Sequence, residues 1–436
     1  MASEMSQGLQ IGVDWFEGHH GPTELAQTTG WLVIEINGRY ATRNEDRWAK
    51  TVRSGVLVSG YPLALWLASS WWRLRSEVAP VGSPSISWRM AHELSAGGYG
   101  YAWPPIVFVS DGELVEVRCQ AVEGDAWAPV SYLANFVERV GTSDFDTASR
   151  EFIELVLARL DAVGVYNSDL QLLWRDLVSE LAVAEASRWR SLEARFGFDP
   201  DEAPTPLPSA VEALIVAAGP SAADEVASAC AGDDALAKID EAKRLAFAYG
   251  PTGSIPIPRF VHSADRVDGN ASTPWDRGHE LARMTRADAG LPGGPISDGR
   301  LCEMLGLRID DLKGRRVPTK RLELGLAVRS EHPNRFTYVF RKARKEARRF
   351  EAARFLGDFL VAPSDDRWLP IADTKTARQK FQRAFAAELL MPIQELSGFM
   401  GDDFSSARME LAAEEFQTSP LAVRSHLANH FYIPQF

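Results

Sequence analysis

The chain has 436 residues, more than a single hydrophobic core usually supports, so we expect two or three domains. Hydrophobic residues make up 45% and charged residues 24%, a globular composition that excludes a chain disordered throughout. The formal net charge of −12 argues against non-specific wrapping of nucleic acid, because a phosphate-binding surface needs net or clustered positive charge.

Residues 1–140 are predicted to form an α+β domain. The segments "IGVDWFEG", "GWLVIEING", "PPIVFVS" and "ELVEVRCQ" favour strands, and helical periodicity appears at residues 61–77 and 85–95. Within this region, "SDGELVEVRC" places three carboxylates near Arg118. This pattern loosely resembles acidic nuclease sites, although a solvated hairpin face is the more ordinary interpretation.

Residues 141–250 are predicted to form a helical domain. Apolar residues recur at three- and four-residue spacing in "DTASREFIELVLARLDAVGV" and in "SDLQLLWRDLVSELAVAEASRWRSLEARFGF". The second segment opens with Ser168 and Gln171 at the spacing of a capping box. Proline, glycine and small polar residues without a clear period follow, so we predict a linker at 251–272 and the main domain boundary there.

Cysteine usage and hydropathy favour a cytoplasmic protein without a membrane partner. Cys119, Cys230 and Cys302 lie far apart and form no CxxC pair, so neither a disulfide framework nor a thiolate zinc site is indicated. The N-terminal residues contain no basic segment followed by an apolar core, and no run of about 18 or more apolar residues follows.

Residues 273–436 contain four segments in a familiar order. These are "STPWDRGHELARMTRADAGLPGGPISDGRLCEMLGL", "RRFEAARFLGDFLVAP", "FQRAFAAELLMPIQEL" and "AAEEFQTSPLAVRSHLANHFYI". In this order they resemble the ImmA/IrrE family of zinc metallopeptidases, with "AFAAELLMP" as the most specific match. The resemblance implies a mainly helical, zincin-like C-terminal domain with a small sheet, and hence an α+β multidomain protein.

The zinc ligands that the resemblance implies are absent. The family carries His-Glu-x-x-His on one helix, where two imidazoles hold the metal and the glutamate activates water, with a further glutamate before the "FAAELLMP" box. Here Arg354 and Asp358 occupy the histidine positions, Phe355 occupies the glutamate position, and Gln379 stands where the last ligand is expected. We expect no catalytic residue, metal or cofactor at this site. Arg354 and Asp358 are expected to pair across one helical turn.

Other histidines offer only partial motifs. His92 and His279 each precede a glutamate, but neither has a second histidine four residues later, so both are interpreted as parts of ordinary helical segments. His426 and His430 have the four-residue spacing, but Leu427 replaces the glutamate. This pair is a weak candidate for binding a transition metal without hydrolysis.

The sharpest charge asymmetry lies in "NRFTYVFRKARKEARRFEAARF". Helical spacing predicts that four of its cations, Arg341, Lys345, Arg348 and Arg349, project outward. A solvated helix face is the ordinary interpretation, and an anion- or partner-binding face is the functional one. We favour a protein partner because the whole chain is acidic. The candidate binding residues are Arg341, Lys342, Arg344, Lys345, Arg348 and Arg349.

The resemblance implies a non-catalytic, protein-binding module with a regulatory, stress-response or defence role in the bacterial or phage cytoplasm. Its partner would be a repressor, an antitoxin or another regulatory protein. Three alternatives stay open. The first is an enzyme with its active site in residues 1–140, controlled by the C-terminal domain. The others are a nucleic-acid-binding regulator that uses helix 341–354, and a zinc peptidase that takes ligands from another chain.

Overall fold

The computed structural model describes residues 8–16, 21–122, 128–256, 273–291, 293–313 and 323–434. Helices and small antiparallel sheets alternate along the chain, which confirms the predicted mixture of helix and strand. The chain divides into two compact units, Met1–Ala203 and Pro204–Phe436. This division falls inside the predicted helical domain 141–250, not at the predicted linker 251–272. Most of that linker, residues 257–272, lies outside the described residues.

The first unit combines short strands with helices of very different length. Its strands are β1 (Leu9–Trp15), β2 (Thr29–Ile36), β3 (Arg39–Tyr40), β4 (Asn44–Asp46), β5 (Thr51–Arg53), β6 (Val56–Ser59), β7 (Ile106–Ser110), β8 (Leu114–Cys119), β9 (Val130–Tyr132) and β10 (Phe136–Gly141). Its helices are α1 (Thr23–Gln27), α2 (Gly60–Ser69), α3 (Trp71–Ser76), α4 (Ile86–His92), the 3-10 turn Leu94–Gly97, α5 (Thr142–Ala162), α6 (Asp169–Ala182) and α7 (Ala184–Arg195).

The core of the first unit contains buried residues from β2, from several other strands and from several helices. Along β2, Leu32, Ile34 and Ile36 point inward because successive strand residues face opposite sides. β1 and β6 pair with β2, while β7, β8 and β10 form a separate antiparallel sheet. The predicted capping box is confirmed, because Ser168 and Gln171 bond each other's backbone N–H groups at the start of α6.

A buried polar chain in the first unit accounts for His92. Its Nε2 lies 3.1 Å from Glu77, and its Nδ1 lies 2.9 Å from the main-chain oxygen of Phe108. Glu77 in turn accepts a hydrogen bond from Arg73 at 2.7 Å, and the Trp88 ring stacks on the imidazole at 4.2 Å. Protein groups therefore occupy both ring nitrogens of His92, which fits the ordinary structural interpretation of this segment.

The second unit is built around long helices and one sheet. Its helices are α8 (Leu207–Ala218), α9 (Pro220–Ala229), α10 (Ala235–Ala246), α11 (Pro274–Asp288), α12 (Asp298–Leu305), α13 (Ile309–Leu312), α14 (Lys345–Val361), α15 (Ala377–Leu390), α16 (Ile393–Met400), α17 (Ser406–Glu415) and α18 (Pro420–Asn429). Its strands are β11 (Thr252–Ser254), β12 (Gly325–Arg329), β13 (Arg335–Val339) and β14 (Trp368–Ile371), which form one antiparallel sheet in the order β11-β13-β12-β14.

Helix α15 packs between α11 and α14. A side chain at Gly278 of α11 would place its Cβ 2.6 Å from the main-chain oxygen of Phe381, so only glycine allows this approach. The α15 residues that face its neighbours are mostly alanine and phenylalanine and are buried. No helix among the described residues combines the length and apolar character that a membrane crossing requires.

We predict that Gly278→Ala destabilises the protein by about 1–3 kcal/mol, because the added methyl group overpacks the contact between α11 and α15. Gly398→Ala is the matched control, since its Cβ would meet nothing within 4 Å on α16. There, alanine is expected to stabilise the helix by about 0.5–1 kcal/mol. Urea unfolding measures both changes. Equal effects of the two substitutions would contradict the close approach of α11 and α15.

Candidate functional site

The four positions at which zinc ligands and the general base were expected lie in the core of the second unit. Arg354, Phe355 and Asp358 belong to α14, and Gln379 belongs to the first turn of α15. Each of these residues is at most 3% exposed. Helix α14 is buried around its whole circumference over residues 351–358, so polar side chains there must find partners within the protein.

Neutral acceptors surround the guanidinium of Arg354. Its Nη2 donates to the main-chain oxygen of Ala372 at 2.9 Å and to Oε1 of Gln382 at 3.1 Å, and it also donates to Oε1 of Gln379. Its Nε has no hydrogen-bond partner among the described residues. Burial lowers the pKa of Arg354 well below its usual value, because the charged form loses its hydration.

Gln379 connects Arg354 to the helix α9. Its Oε1 accepts a hydrogen bond from the backbone N–H of Ala372 at 2.9 Å. Its Nε2 donates to the main-chain oxygen of Pro370 at 3.0 Å and to Oε2 of Glu225 at 2.9 Å. An amide can accept and donate at once, whereas an ionised carboxylate only accepts. A glutamate at position 379, as the resemblance implies for a zinc ligand, could not make the contact with Glu225.

Glu225 is part of this cluster, although sequence reasoning did not identify it. It is 6% exposed, and it also accepts a hydrogen bond from Oγ1 of Thr376 at 2.7 Å. The available signal was its position in "SAADEVASA", where Ala222 and Val226 lie on the buried face of α9. A carboxylate on an apolar helix face indicates a buried polar partner. Helix α9 thereby closes the cluster on the side of Gln379.

Asp358 pairs with Arg378, which corrects the prediction that it pairs with Arg354. Arg378 donates to the two carboxylate oxygens of Asp358 from Nε at 2.7 Å and from Nη2 at 2.9 Å. Its Nη1 donates to Asp366 at 2.7 Å and to Ser221 at 3.0 Å. The planar guanidinium fits this bidentate geometry, so the contact between helices replaces the one across the turn. Burial opposes the charge, yet Asp358 holds the pKa of Arg378 above its usual value.

Phe355 faces the sheet. Its ring centroid lies 5.6 Å from that of Tyr338 and 5.9 Å from that of Phe340. Nearby on α14, Gly357 leaves space for Phe385, since a Cβ at this position would lie 2.5 Å from Cδ1 of that ring. An apolar ring cannot accept a proton, so Phe355 contributes packing to the cluster and no acid–base chemistry.

Two cations that were predicted to project outward are in the core, so the prediction for them is wrong. Arg341 is 4% exposed, and its Nε donates to Glu351 at 2.9 Å. Arg349 is fully buried, forms an ion pair with Asp298 and donates to the main-chain oxygen of Ile296 at 2.7 Å. Helical spacing failed for two reasons. Helix α14 begins only at Lys345, and carboxylates from distant segments compensate these charges.

The prediction is also wrong for Arg348, which is 9% exposed and donates to the main-chain oxygen of Lys342 at 2.8 Å. The remaining cations lie nearer the surface. Lys342 is half-buried, Lys345 forms an ion pair with Asp298, and Arg344 is exposed. Only part of the basic run is therefore accessible to a partner.

An open cleft begins at the N-terminal end of α14. Its volume is about 560 Å³. One wall carries Arg344, Lys345 and Glu346, and the other is formed by α17 and the loop before α18, including Glu410 and Glu414. The cleft therefore has a mainly basic wall and a mainly acidic wall. Of the six predicted binding cations, Arg344, Lys345 and Arg349 line it, although Arg349 is fully buried.

Three histidines from two separate parts of the sequence converge elsewhere in the second unit. His279 lies on α11, His426 lies on α18, and His430 follows the last residue of α18. One ring nitrogen of each lies within 4.8 Å of the others. The rings of His279 and His430 are stacked with centroids 4.5 Å apart. The four-residue spacing of His426 and His430 brings their ring centroids to 4.8 Å, and His279, which was interpreted as part of an ordinary helical segment, joins them from α11.

The histidine cluster lies in a desolvated environment beside one carboxylate. His279 and His426 are at most 3% exposed, and burial together with the neighbouring imidazoles lowers the pKa of His279 to about 3. Nε2 of His426 lies 3.2 Å from Oε2 of Glu388. Burial alone would raise the pKa of Glu388, but His426 and Arg283 lower it to about 2. Glu388 is therefore ionised at neutral pH, and the imidazole of His279 is uncharged.

The first unit offers no comparable arrangement among its described residues. Only His279, His426 and His430 bring three metal-binding side chains together in the described part of the chain. In the acidic hairpin of the first unit, Oδ1 of Asp111 accepts hydrogen bonds from the turn backbone. Glu116 forms ion pairs with arginines on its own strand and on β10. These contacts are those of a hairpin.

Comparisons of the chain with models of known protein families, with curated proteins and with solved structures find no match. A function is therefore inferred from the residues themselves. The second unit offers three arrangements for this purpose. They are the buried cluster around Arg354 and Gln379, the open cleft beside Arg344, and the histidine cluster.

We predict that Asp358→Ala lowers the free energy of unfolding by about 3–5 kcal/mol, because it leaves the buried cation of Arg378 without its bidentate partner. Asp365→Ala removes an exposed carboxylate nearby and is expected to change stability by less than about 0.5 kcal/mol. Urea unfolding of both variants measures the difference. A double-mutant cycle should give strong coupling between Asp358 and Arg378, and the same coupling between Asp358 and Arg354 would refute this pairing.

Proposed function

We propose that the second unit is a non-catalytic relative of the ImmA/IrrE peptidases that binds a regulatory protein. The observation that carries this proposal is the buried cluster at the expected ligand positions. Arg354 and Gln379 bond each other, and Asp358 bonds Arg378. In a working peptidase these positions must face a metal and a substrate. Here Glu225 of α9 closes the cluster instead. The proposal includes a zincin-like fold, which the long helices and four-stranded sheet support.

The cleft beside Arg344 is the surface that we propose for the partner. Its opposing basic and acidic walls suit a polypeptide segment that carries charges of both signs. A nucleic acid fits less well, because Glu410 and Glu414 would repel its phosphates. Arg341, Arg348 and Arg349 are buried against other protein groups, so they cannot extend the basic wall. A protein partner is therefore favoured over nucleic acid.

The resemblance supplies the setting of this proposal. By this analogy, the protein would act in the bacterial or phage cytoplasm, in regulation, stress response or defence. The partner would be a repressor, an antitoxin or another regulatory protein. In this proposal, Arg354 and Asp358 take part in no chemical reaction. Their contribution is to hold α14, α15 and α9 together, so that the cleft at the start of α14 keeps its shape.

We predict that the full chain with added Zn²⁺ hydrolyses neither unfolded proteins nor a mixed peptide library, because Phe355 cannot activate water. Cleavage rates should equal those of buffer, and they should be the same for the His279→Ala variant. Circular dichroism confirms that each sample is folded. Zinc-dependent cleavage that persists in His279→Ala and disappears in a folded Arg354→Ala variant would overturn the non-catalytic interpretation.

The partner surface is tested by replacing Gln417, which is exposed in the cleft, with a photo-crosslinking residue in cells that produce the full chain. Gln394, exposed on α16 and outside the cleft, is the matched control. We expect one protein to crosslink at Gln417 only. Combining Glu410→Lys with Glu414→Lys should weaken its measured affinity at least about tenfold through like-charge repulsion. Equal capture at both glutamines, or an affinity insensitive to charge reversal, would contradict the proposal.

A further inference from the structure

We propose that His279, His426 and His430 form a binding site for a transition-metal ion in the second unit. The site would link α11 to the C-terminal end of α18. Its residues are different from the positions at which the resemblance implies zinc ligands, Arg354 and Gln379 among them. The proposal therefore does not depend on the peptidase resemblance, and it goes beyond the proposed role in partner binding.

The geometry of the three imidazoles supports this site. One ring nitrogen from each histidine lies within 4.8 Å of the other two. Two ligands of a tetrahedral zinc ion are about 3.3 Å apart, as follows from zinc–nitrogen distances of about 2.0–2.1 Å. Small rotations about the side-chain torsions would close this difference. His430 has room for them, because it is half-buried at the end of α18, whereas His279 and His426 are held in the core.

The hydrogen bonding of the cluster points to a missing partner. Nε2 of His279, Nε2 of His430 and both ring nitrogens of His426 are buried and have no hydrogen-bond partner among the described residues, although Nε2 of His426 lies 3.2 Å from Oε2 of Glu388. Polar atoms removed from water without a partner are costly, and the large majority of buried polar atoms are satisfied. One ring nitrogen of each histidine lies close enough to the other two for a single metal ion to satisfy all three, whereas the three nitrogens cannot all satisfy one another.

The position of Glu388 is a second feature that indicates a metal site. Histidine ligands usually bond their other ring nitrogen to a carboxylate, which orients the ring and increases its basicity. Oε2 of Glu388 lies 3.2 Å from Nε2 of His426, which leaves Nδ1 of the same ring for the metal. Glu388 is itself held by Arg283 at 3.0 Å and by the backbone N–H of Ile393 at 3.3 Å. We therefore assign Glu388 a positioning role.

The ligand set selects the class of metal. Neutral imidazoles suit Zn²⁺, Cu²⁺, Ni²⁺ and Fe²⁺, whereas Mg²⁺ and Ca²⁺ require oxygen ligands. A water molecule would complete four-fold coordination of Zn²⁺. Because one ligand comes from α11 and two come from the end of α18, the ion would fix the C-terminal segment on the second unit.

The test uses the full chain, stripped with a chelator and then titrated with Zn²⁺ by calorimetry, with metal content counted by elemental analysis. We expect about one Zn²⁺ per chain for the wild type and loss of this binding in His279→Ala and in His430→Ala. Glu388→Gln should weaken binding about 10- to 100-fold. Mg²⁺ should not compete. Co²⁺ in place of Zn²⁺ should give visible absorption bands of histidine coordination, and the histidine variants should lose them.

His332→Ala is the matched control, since it removes an exposed histidine of the second unit outside the cluster and should bind zinc like the wild type. Circular dichroism of the metal-free variants shows whether they fold. If His279→Ala does not fold, the half-buried His430 provides the decisive variant. Absence of zinc binding in the folded wild type, or unchanged binding in a folded histidine variant, would overturn the proposal. Peptide cleavage is not measured here, so either result leaves the proposed function to its own test.

Discussion

The enclosure of two arginine side chains is the constraint on which the second unit depends. Arg378 pairs with two carboxylates, and Nη2 of Arg354 donates to amide and main-chain oxygens. Removing the partner of a buried cation strongly destabilises a protein, because the charge then stays buried without compensation. The helices α9, α14 and α15 therefore have to keep their mutual positions, because each supplies groups that the two guanidinium groups require.

Helix α15 contributes side chains to both polar clusters of this unit. Its first turns carry Arg378 and Gln379, which bond to α14 and α9, and its last turn carries Glu388, which lies beside His426. Between them, alanine and phenylalanine residues pack against α11 and α14. A movement of α15 would disturb both clusters at once. One helix therefore contributes polar groups to both clusters as well as the alanine and phenylalanine residues that pack against its neighbours.

Only some of the positive charges near the start of α14 are accessible from solvent. In the sequence, the basic run before and along α14 reads as one continuous cationic surface, but the structure divides it. Arg341 and Arg349 form ion pairs with carboxylates, and Arg348 donates a hydrogen bond to a main-chain oxygen. Arg344 and Lys345 reach a cleft whose other wall is acidic. This mixture of charges is the basis on which we propose a polypeptide partner, because a nucleic acid carries charge of one sign only.

Some properties of this protein follow from the sequence alone. The strand in "GWLVIEING" and the capping box of α6 depend on residues close together in the chain, so local rules predicted both correctly. The same is true of the absence of histidine from "RRFEAARFLGDFLVAP", which determines that this helix offers no imidazole to a metal. Residue identity and short-range spacing suffice for conclusions of this kind.

Only the tertiary structure decided which polar groups meet. The four-residue spacing of Arg354 and Asp358 predicted a pair, but Arg378 from another helix offers Asp358 two hydrogen bonds. His279 approaches His430 although α11 and α18 are far apart in the sequence. Long-range contacts of this type depend on how helices pack, and packing is set by the apolar surfaces of all elements together. A local pattern therefore identifies candidate groups, whereas the fold determines their partners.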